Sequence, residues 1–397
     1  MFRRVVSLAV VGAMVMAACG GDDDDPSSAE GSAATAGGNA ASGEPIVLGA
    51  VASLSGVDIF PESPAAAQAV FDRFNAEGGL DGRPVEYLVE DDGNTAEQAA
   101  TAAKRLVEDR NVLGMVGGGS IVDCTTNAKY YAEQDVYDLA GVNACTPDVT
   151  HVASINTGPF IGTQVTLSYM IEEMGVENVC FSGLNVPLTD IFKNATVPEW
   201  EQVTGYKLHS MIISEPNEDL TAAVTKAKTD GCDGVLLAYT EPNYIAYYQI
   251  ADAQGLVGDL QYSMLTSGYS LNVLDKVGNT AEGTVTNSEF LPYTDDEDTT
   301  PELVDFKELM EASDLELTSF AQGGYISANI AIEALRSIEG DITRESVGEA
   351  FQNITYTTPL LGAPFEFGPQ PNRSSQIVQI EDGKFVTVSG WLKFPPS

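Results

Sequence analysis

The stretch Asn75–Thr95, NAEGGLDGRPVEYLVEDDGNT, predicts the fold more strongly than any other part of the sequence. An apolar helical segment leads into it and ends at Gly78-Gly79, because glycine readily adopts the backbone conformation that follows a helix C-terminus. Pro84 to Val89 then reads as a strand that ends in an acidic turn, and Thr95 has a side chain suited to capping a following helix. The stretch therefore predicts helix, strand and helix in close succession, as in an α/β protein.

The same alternation continues on both sides of this stretch. Strands are predicted at Ile46–Ala52, Val112–Val116 and 136–142, and helices at Ala65–Ala76, Ala96–Asp109 and 125–134. Strands that alternate with helices through compact loops form a parallel sheet covered by helices on both faces. The first part of the chain therefore predicts one doubly wound α/β lobe.

The pattern starts again near residue 178 and predicts a second lobe. Its strands are predicted at Asn178–Ser182, Tyr206–Ile213, Gly234–Ala238 and Leu260–Leu265, and its helices at Asp190–Val203, Leu220–Lys228 and Asn243–Gln254. The last part of the chain is less regular. It predicts a crossing strand at Gly283–Phe290 and three helices, of which one opens at Thr300-Pro301-Glu302 and the others span Ser319–Ile338 and Thr343–Gln352. A terminal hairpin is predicted at Gln376–Ile380 and Lys384–Val388.

Composition narrows the classes of partner and of chemistry. The formal net charge is -39, so nucleic acid and anionic lipid headgroups are poor partners for this surface. His151 and His209 are the two histidines of the chain, and no Ser-His-Asp or Cys-His set stands at the predicted strand ends. General bases that work near neutral pH are therefore scarce. We expect no enzymatic activity, no cofactor and no metal.

The N-terminus predicts an exported protein. Arg3 and Arg4 precede the apolar segment Val5–Ala18, which is shorter than the ~20 residues that cross a membrane and fits a signal peptide at residues 1–18. Met16 to Cys19 resembles the bacterial lipobox, which implies lipidation of Cys19; a plain signal peptide with a chance cysteine is the alternative. Residues 19–44 contain no large apolar side chain and predict a disordered acidic tether.

Four further cysteines are Cys124, Cys145, Cys180 and Cys232. An even number outside the cytoplasm suggests disulfides, and four cysteines allow three pairings. No pair has CxxC spacing, so a zinc cluster is not expected.

Several segments together resemble one family, the extracellular solute-binding proteins of ABC importers, in its type I Leu/Ile/Val-binding-protein-like group. The matching segments are IVLGAVASLSG, the stretch at Asn75–Thr95 with the helix after it, VLGMVGGGS, SFAQGGYISANIAIEALRS and EDGKFV. The resemblance covers roughly Pro45 to Phe394. It implies two doubly wound, Rossmann-like lobes joined by three crossovers. Lobe 1 would comprise 45–158 and 288–358, and lobe 2 would comprise 159–287 and 359–397.

This topology also selects one pairing of the cysteines. Cys124 and Cys145 follow neighbouring strands of lobe 1, whereas Cys180 begins the first strand of lobe 2 and Cys232 precedes the adjacent strand. We therefore expect the disulfides Cys124–Cys145 and Cys180–Cys232.

Ligands of parallel α/β sheets bind beyond the carboxyl ends of the strands. That rule and the family resemblance select the candidate ligand residues Phe60, Ser120, Asp123, Asn143, Ala144, Asn185, Tyr239, Glu241, Asn243 and Tyr269. The resemblance implies that Ser120 and the amides near Asn143 bind a carboxylate, and that an acid of lobe 2 binds an ammonium group.

Each candidate also has a structural interpretation. Ser120 could only cap its helix, Glu241 could be a solvated loop acid, and Tyr239 could pack at the rim, as could Tyr269. The glycines before Ser120 could form a plain strand-to-helix turn, and they lack the GK[ST] ending of a phosphate-binding loop. The sequence also departs from the family's pattern, with Ile121 in place of a second hydroxyl and Asn243 at the acidic position, which argues against a standard branched-chain amino acid.

These features predict an extracytoplasmic protein, lipid-anchored to the bacterial cell membrane. It would capture a small polar ligand, an amino acid or an amino-acid-like or amide compound, and deliver it to an ABC permease. We expect a monomer that reaches the membrane through its lipid and has no nucleic-acid partner. Two alternatives stay open: a ligand-binding sensor subunit of the same fold, or a binder of a small organic acid that is not an amino acid.

Overall fold

A computed structural model describes residues 40–56, 59–145, 149–294, 298–368 and 371–396. All described residues belong to one compact unit, Gly38–Ser397. The predicted signal segment, Cys19 and most of the predicted tether lie outside the described residues. Among the helices that are described, none combines the length and the apolar character needed to span a membrane.

The first sheet lies in the N-terminal part of the chain, and within the described residues its seven strands all pair in parallel. They are β1 (Ile46–Ala52), β2 (Val85–Asp91), β3 (Gly114–Val116), β4 (Gly119–Ser120), β5 (Asp138–Ala140), β6 (Val142–Asn143) and β7 (Val152–Ser154). The strand order is β2-β1-β3-β5-β7. The short strand β4 follows β3 in the chain and pairs with the end of β1, and the short strand β6 follows β5 and pairs with β4.

The second sheet has a parallel part and an antiparallel end. Its strands are β8 (Val179–Leu184), β9 (Ser210–Ser214), β10 (Gly234–Ala238), β11 (Gln261–Met264), β12 (Val285–Ser288), β15 (Ser374–Glu381), β16 (Lys384–Thr387) and β17 (Leu392–Lys393). Strands β13 (Thr355–Tyr356) and β14 (Phe365–Glu366) form a separate two-stranded ribbon. The order is β9-β8-β10-β11-β12-β15-β16, and β17 pairs with β15. Strands β15, β16 and β17 are antiparallel to their neighbours.

Helices connect the strands of both sheets. They are α1 (Glu62–Ala76), α2 (Ala96–Lys104), α3 (Asp123–Glu133), α4 (Gly158–Glu172), α5 (Pro187–Ile191), α6 (Val197–Thr204), α7 (Thr221–Thr229), α8 (Glu241–Ala253), α9 (Leu271–Val277), α10 (Pro301–Ala312), α11 (Ser319–Arg336) and α12 (Arg344–Asn353). Although α11 and α12 follow β12 in the chain, they pack on the first sheet. The predicted fold class, two α/β lobes linked by crossovers, is confirmed.

The stretch Asn75–Thr95 folds as its sequence predicts. Helix α1 ends before Gly78 and Gly79, which have φ values of +114° and +62°. Strand β2 follows, and the Thr95 hydroxyl caps α2 by accepting a hydrogen bond from the Gln98 N–H at 3.3 Å. These local signals place β2 beside β1 with Ile46 opposite Val85.

The segment Gly119–Ser120 and helix α4 are two of the elements that differ from the sequence prediction. The segment Gly119–Ser120 was predicted as a loop and forms a short strand, because the backbone of Gly119 pairs with both Ala52 and Val142. Helix α4 was not predicted, since polar and apolar residues are mixed along it and give no periodic signal. Its position explains the missing signal, because it is packed between the second sheet and α6.

Both predicted disulfides are confirmed. Cys124 and Cys145 are bonded with a Cα–Cα distance of 5.4 Å, and Cys180 and Cys232 with a Cα–Cα distance of 5.9 Å. The second bond lies beside two paired strands, since β8 and β10 align Cys180 with Val235.

Candidate functional site

A cavity of about 120 Å³ lies where the strand ends of the two lobes face each other. Lobe 1 contributes residues that follow β1 and β4, together with β6 and the start of α11. Lobe 2 contributes the ends of β8, β10 and β11 and the segment around α5. The crossovers at 156–159 and 287–289 form the remaining wall. This is the edge at which parallel α/β sheets bind ligands.

Most of the cavity wall is apolar. Four phenylalanines line it in two edge-on or tilted pairs, Phe60 with Phe320 at 5.1 Å between ring centroids and Phe181 with Phe192 at 5.2 Å. Further apolar side chains complete this surface: Ile121, Val142, Leu184, Val186, Leu188 and Leu265. A wall of this kind favours a ligand with an aromatic or aliphatic body.

The polar end of the cavity is formed by the crossovers and centres on Glu289. One carboxylate oxygen, Oε1, accepts hydrogen bonds from the Gly158 N–H at 2.7 Å and from Asn156 Nδ2 at 3.4 Å. The Glu289 carbonyl accepts a third from Asn372 Nδ2 at 3.0 Å. Glu289 therefore joins the three chain segments that pass between the lobes.

The carboxyl of Glu289 is fully buried. Burial raises the pKa of Glu289 to about 7, although the hydrogen bonds from Gly158 and Asn156 act in the opposite direction. This side chain can therefore lose or gain a proton near neutral pH, and a cation beside it would favour the ionised form.

Of the sequence-predicted residues, the structure places Phe60, Asn143 and Tyr239 in the cavity wall. Asn143 Oδ1 accepts from the Ala144 N–H at 2.7 Å, and the Asn143 N–H donates to Asn156 Oδ1 at 3.1 Å. The Tyr239 hydroxyl shares a hydrogen bond with Ser182 at 2.8 Å. Ala144 is buried next to Asn143 and does not line the cavity.

Ser120 and Asp123 lie behind the wall in a buried polar network. The Ser120 hydroxyl donates to Asp92 and accepts from the Asp123 N–H at 2.9 Å. The Asp123 carboxylate accepts from Asn127 at 2.7 Å and from Tyr131 at 2.9 Å. Burial raises the pKa of Asp123 to about 6, against the effect of these two hydrogen bonds. Their predicted role in binding ligand stays a prediction.

The remaining candidates lie outside the cavity wall and contact other side chains of the protein. Asn185 donates to Glu215 at 2.9 Å, Glu241 accepts from Asn272 at 2.8 Å, and Asn243 accepts from Thr240 at 3.1 Å. Tyr269 is buried against Tyr293, with 4.5 Å between the ring centroids. Their contact with a ligand stays a prediction as well.

Several wall residues were not selected from the sequence. Glu289 and Asn287 belong to the predicted crossing strand, which the sequence analysis interprets only as a connection between the lobes. Phe320 lies near the start of α11, and only the tertiary fold brings that end of the helix to the strand ends that line the cavity. A glutamate in an otherwise apolar and small-polar strand, TVTNSEF, is the signal that could have found Glu289.

The described residues contain no group of three or more His, Cys, Asp or Glu side chains placed to hold a metal ion. Three glutamates outside the cavity wall interact with one another: burial raises the pKa of Glu62, and the charges of Glu241 and Glu316 raise it further. Each lies within four residues of a wall residue in the chain, Glu62 of Phe60, Glu241 of Thr240 and Glu316 of Phe320.

Two of three comparisons with known proteins agree with this architecture. A family model described as periplasmic binding protein matches residues 45–384. A search among the curated proteins found no significant match.

Solved structures with the same fold come from several bacteria. A branched-chain amino acid transporter substrate-binding protein from Streptococcus pneumoniae, in complex with isoleucine, has a TM-score of 0.75 at 15% identity, covering 88% of this chain and 100% of that one. An ABC transporter substrate-binding protein from Sphaerobacter thermophilus has a TM-score of 0.74 at 19% identity, covering 88% and 98%. A fatty acid ABC transporter substrate-binding protein from Thermomonospora curvata has a TM-score of 0.73 at 18% identity, covering 89% and 93%.

At these identities the solved structures establish the fold, and the family model, which spans most of the chain, establishes the family. The two α/β lobes with a cavity between their strand ends agree with both, and the chain belongs to the periplasmic binding protein family.

Proposed function

We propose that this protein captures a small organic molecule between its two lobes and delivers it to an ABC permease. The observation that carries the proposal is the cavity at the facing strand ends, in which an apolar wall surrounds one buried carboxyl at the crossovers. Ligand in that position touches both lobes and the segments that join them, so binding favours the closed arrangement of a hinged protein. The ligand class expected from the sequence is an amino acid, or an amino-acid-like or amide compound.

Solved relatives support a transport role without fixing the ligand. One such structure is of a branched-chain amino acid transporter component with isoleucine, and another is described as a fatty acid transporter component. The two differ in ligand while sharing the fold, so the wall residues of this chain decide its own specificity.

Capture of a small molecule predicts a higher melting temperature in the presence of ligand. A ligand at one hundred times its Kd stabilises the native state by about 2.7 kcal/mol through mass action. A thermal-shift screen would use amino acids, amides, amines, short peptides, and aliphatic and aromatic acids. At least one class should raise the melting temperature by a few degrees.

The control for this screen is Ala238→Phe, which fills the cavity from the end of β10. We expect the substitution to abolish the ligand-induced shift while the protein stays folded. If no compound stabilised the parent protein, or if Ala238→Phe left the shift intact, the proposed function would be refuted.

The N-terminal features support an anchored form of the same function. The lipobox-like Met16–Cys19 and the tether after it would hold the binding domain within tens of Å of a permease on one membrane. We therefore expect the protein to partition into the detergent phase of a Triton X-114 extraction after expression in a bacterial host, and Cys19→Ser to move it to the aqueous phase. Equal partitioning of both proteins would rule out the lipid anchor.

A further inference from the structure

Three polar atoms in the cavity wall have no hydrogen-bond partner among the described residues. They are Glu289 Oε2, Asn287 Oδ1 and Thr266 Oγ1, and each is inaccessible to solvent. A carboxylate oxygen and an amide oxygen accept hydrogen bonds, and a hydroxyl can accept as well. A buried acceptor without a partner costs about 1–3 kcal/mol, so this wall favours a ligand that supplies several donors.

The topology brings these three atoms to one end of the cavity. Strands β11 and β12 are parallel neighbours, and the Thr286 hydroxyl donates to the Leu265 carbonyl at 2.9 Å. Thr266 follows β11 directly, while Asn287 and Glu289 are two residues apart at the end of β12. Alternate residues of an extended strand face the same side, which places both side chains on the cavity.

The charges around the cavity argue against a ligand that carries a carboxylate. Among the described wall residues there is no lysine, arginine or histidine, and Glu289 is the only carboxyl group. A ligand carboxylate would therefore be buried without a cation and next to Glu289, which is costly. The net charge of -39 also favours a cationic ligand, as do the interacting glutamates Glu62, Glu241 and Glu316, each of which lies close in the chain to a wall residue.

The rest of the wall favours a ligand whose body is apolar. The paired rings of Phe60 with Phe320 and of Phe181 with Phe192 offer apolar surface, and aromatic faces attract a nearby cation by about 0.5–2 kcal/mol. A polyhydroxylated or doubly charged molecule would bury little apolar surface against these rings.

We propose that the cavity binds a hydrophobic primary amine without an α-carboxylate, as its ammonium ion, with Glu289 as the counter-ion and Asn287 and Thr266 as further acceptors. This inference rests on the proposed function and replaces the amino-acid class expected from the sequence by a class of amines. It separates the protein from amino-acid binders, in which a carboxylate must also be paired.

A matched set of ligands tests the inference. The probes are 2-phenylethylamine, 3-methylbutylamine, phenylalanine, 3-phenylpropanoate and 2-phenylethanol, each measured by thermal shift and by calorimetric titration at pH 8. We expect an amine to bind at least tenfold more tightly than phenylalanine, the acid and the alcohol. If the acid or the amino acid bound more tightly than both amines, the inference would fail while the proposed function stood. If no probe and no member of the wider screen bound, both would fail.

A near-isosteric variant tests the role of Glu289. In Glu289→Gln the amide oxygen can still accept from Gly158, so the link between the crossovers is kept while the charge is lost. We expect amine affinity to fall at least tenfold, with binding of the neutral alcohol changed less than threefold. Glu349→Gln, which removes an exposed carboxylate on α12, is the control and should bind the amine as the parent does. Unchanged amine affinity in Glu289→Gln would overturn the assignment.

The pH dependence gives a second readout. Since the pKa of Glu289 is about 7, amine binding should weaken about 30-fold between pH 8 and pH 5.5 as this carboxyl becomes protonated. Tyr239 is the other titratable wall residue and burial raises its pKa, so it stays neutral over this range. Glu62, whose pKa is also raised, is retained in Glu289→Gln. A pH dependence that survived in Glu289→Gln would belong to another group, such as Glu62, and would contradict the proposal.

Discussion

Replacing Gly324 by alanine is expected to destabilise the protein by about 3 kcal/mol, although glycine to alanine inside a helix ordinarily stabilises by up to about 1 kcal/mol. Gly324 lies in α11, and a Cβ atom there would stand 1.9 Å from the carbonyl oxygen of Ser63 in α1. The obstacle is backbone, so no side chain can move aside. Helices α1 and α11 would have to separate along their contact.

The measurement is the melting temperature and the urea midpoint of Gly324→Ala beside Gly390→Ala. An added Cβ at Gly390 meets no atom within 4 Å, so this control should leave both quantities nearly unchanged. A Gly324→Ala protein as stable as the parent would show that the helices adjust at little cost. The same result would contradict close backbone contact as the reason for glycine at this position.

This contact shows which parts of the fold the sequence can predict. The alternation around Asn75–Thr95 predicts local elements, because caps, glycines and apolar runs act within a few residues. Nothing local indicates that Gly324 touches Ser63, which is far away in the chain. The closeness of α1 and α11 follows from the crossover that returns the chain to the first sheet after β12.

The candidate site divides in the same way. The rule that ligands bind at strand ends selected Phe60, Asn143 and Tyr239, which the structure places in the cavity wall. The rule cannot tell which strand-end groups bond to their own lobe. Ser120, for example, lies at such an end but donates to Asp92. The strand-end rule also does not select Glu289, because the position of this crossover residue depends on contacts among three separate chain segments.

Removing the disulfide Cys180–Cys232 is expected to destabilise the protein by up to about 4 kcal/mol, against about 3 kcal/mol for Cys124–Cys145. In the chain-entropy description the cost grows with the length of the loop that the bond closes in the unfolded chain. The sequence separations are 52 and 21 residues, which sets the order of the two effects. The Cys180–Cys232 bond also holds an interior strand of its sheet, because β8 pairs with both β9 and β10.

Two double variants give a matched comparison, Cys180→Ala with Cys232→Ala and Cys124→Ala with Cys145→Ala. All four side chains are buried, so each double variant loses a similar amount of packing and the difference between them reports mainly on loop length. We expect melting temperatures lower than that of the parent by on the order of 10 °C, with the larger decrease for the Cys180–Cys232 pair. An equal or reversed order would contradict loop entropy as the main effect. It would instead show that the shorter loop, which holds Asn143 and Ala144 beside the cavity, contributes more native-state stability than its length predicts.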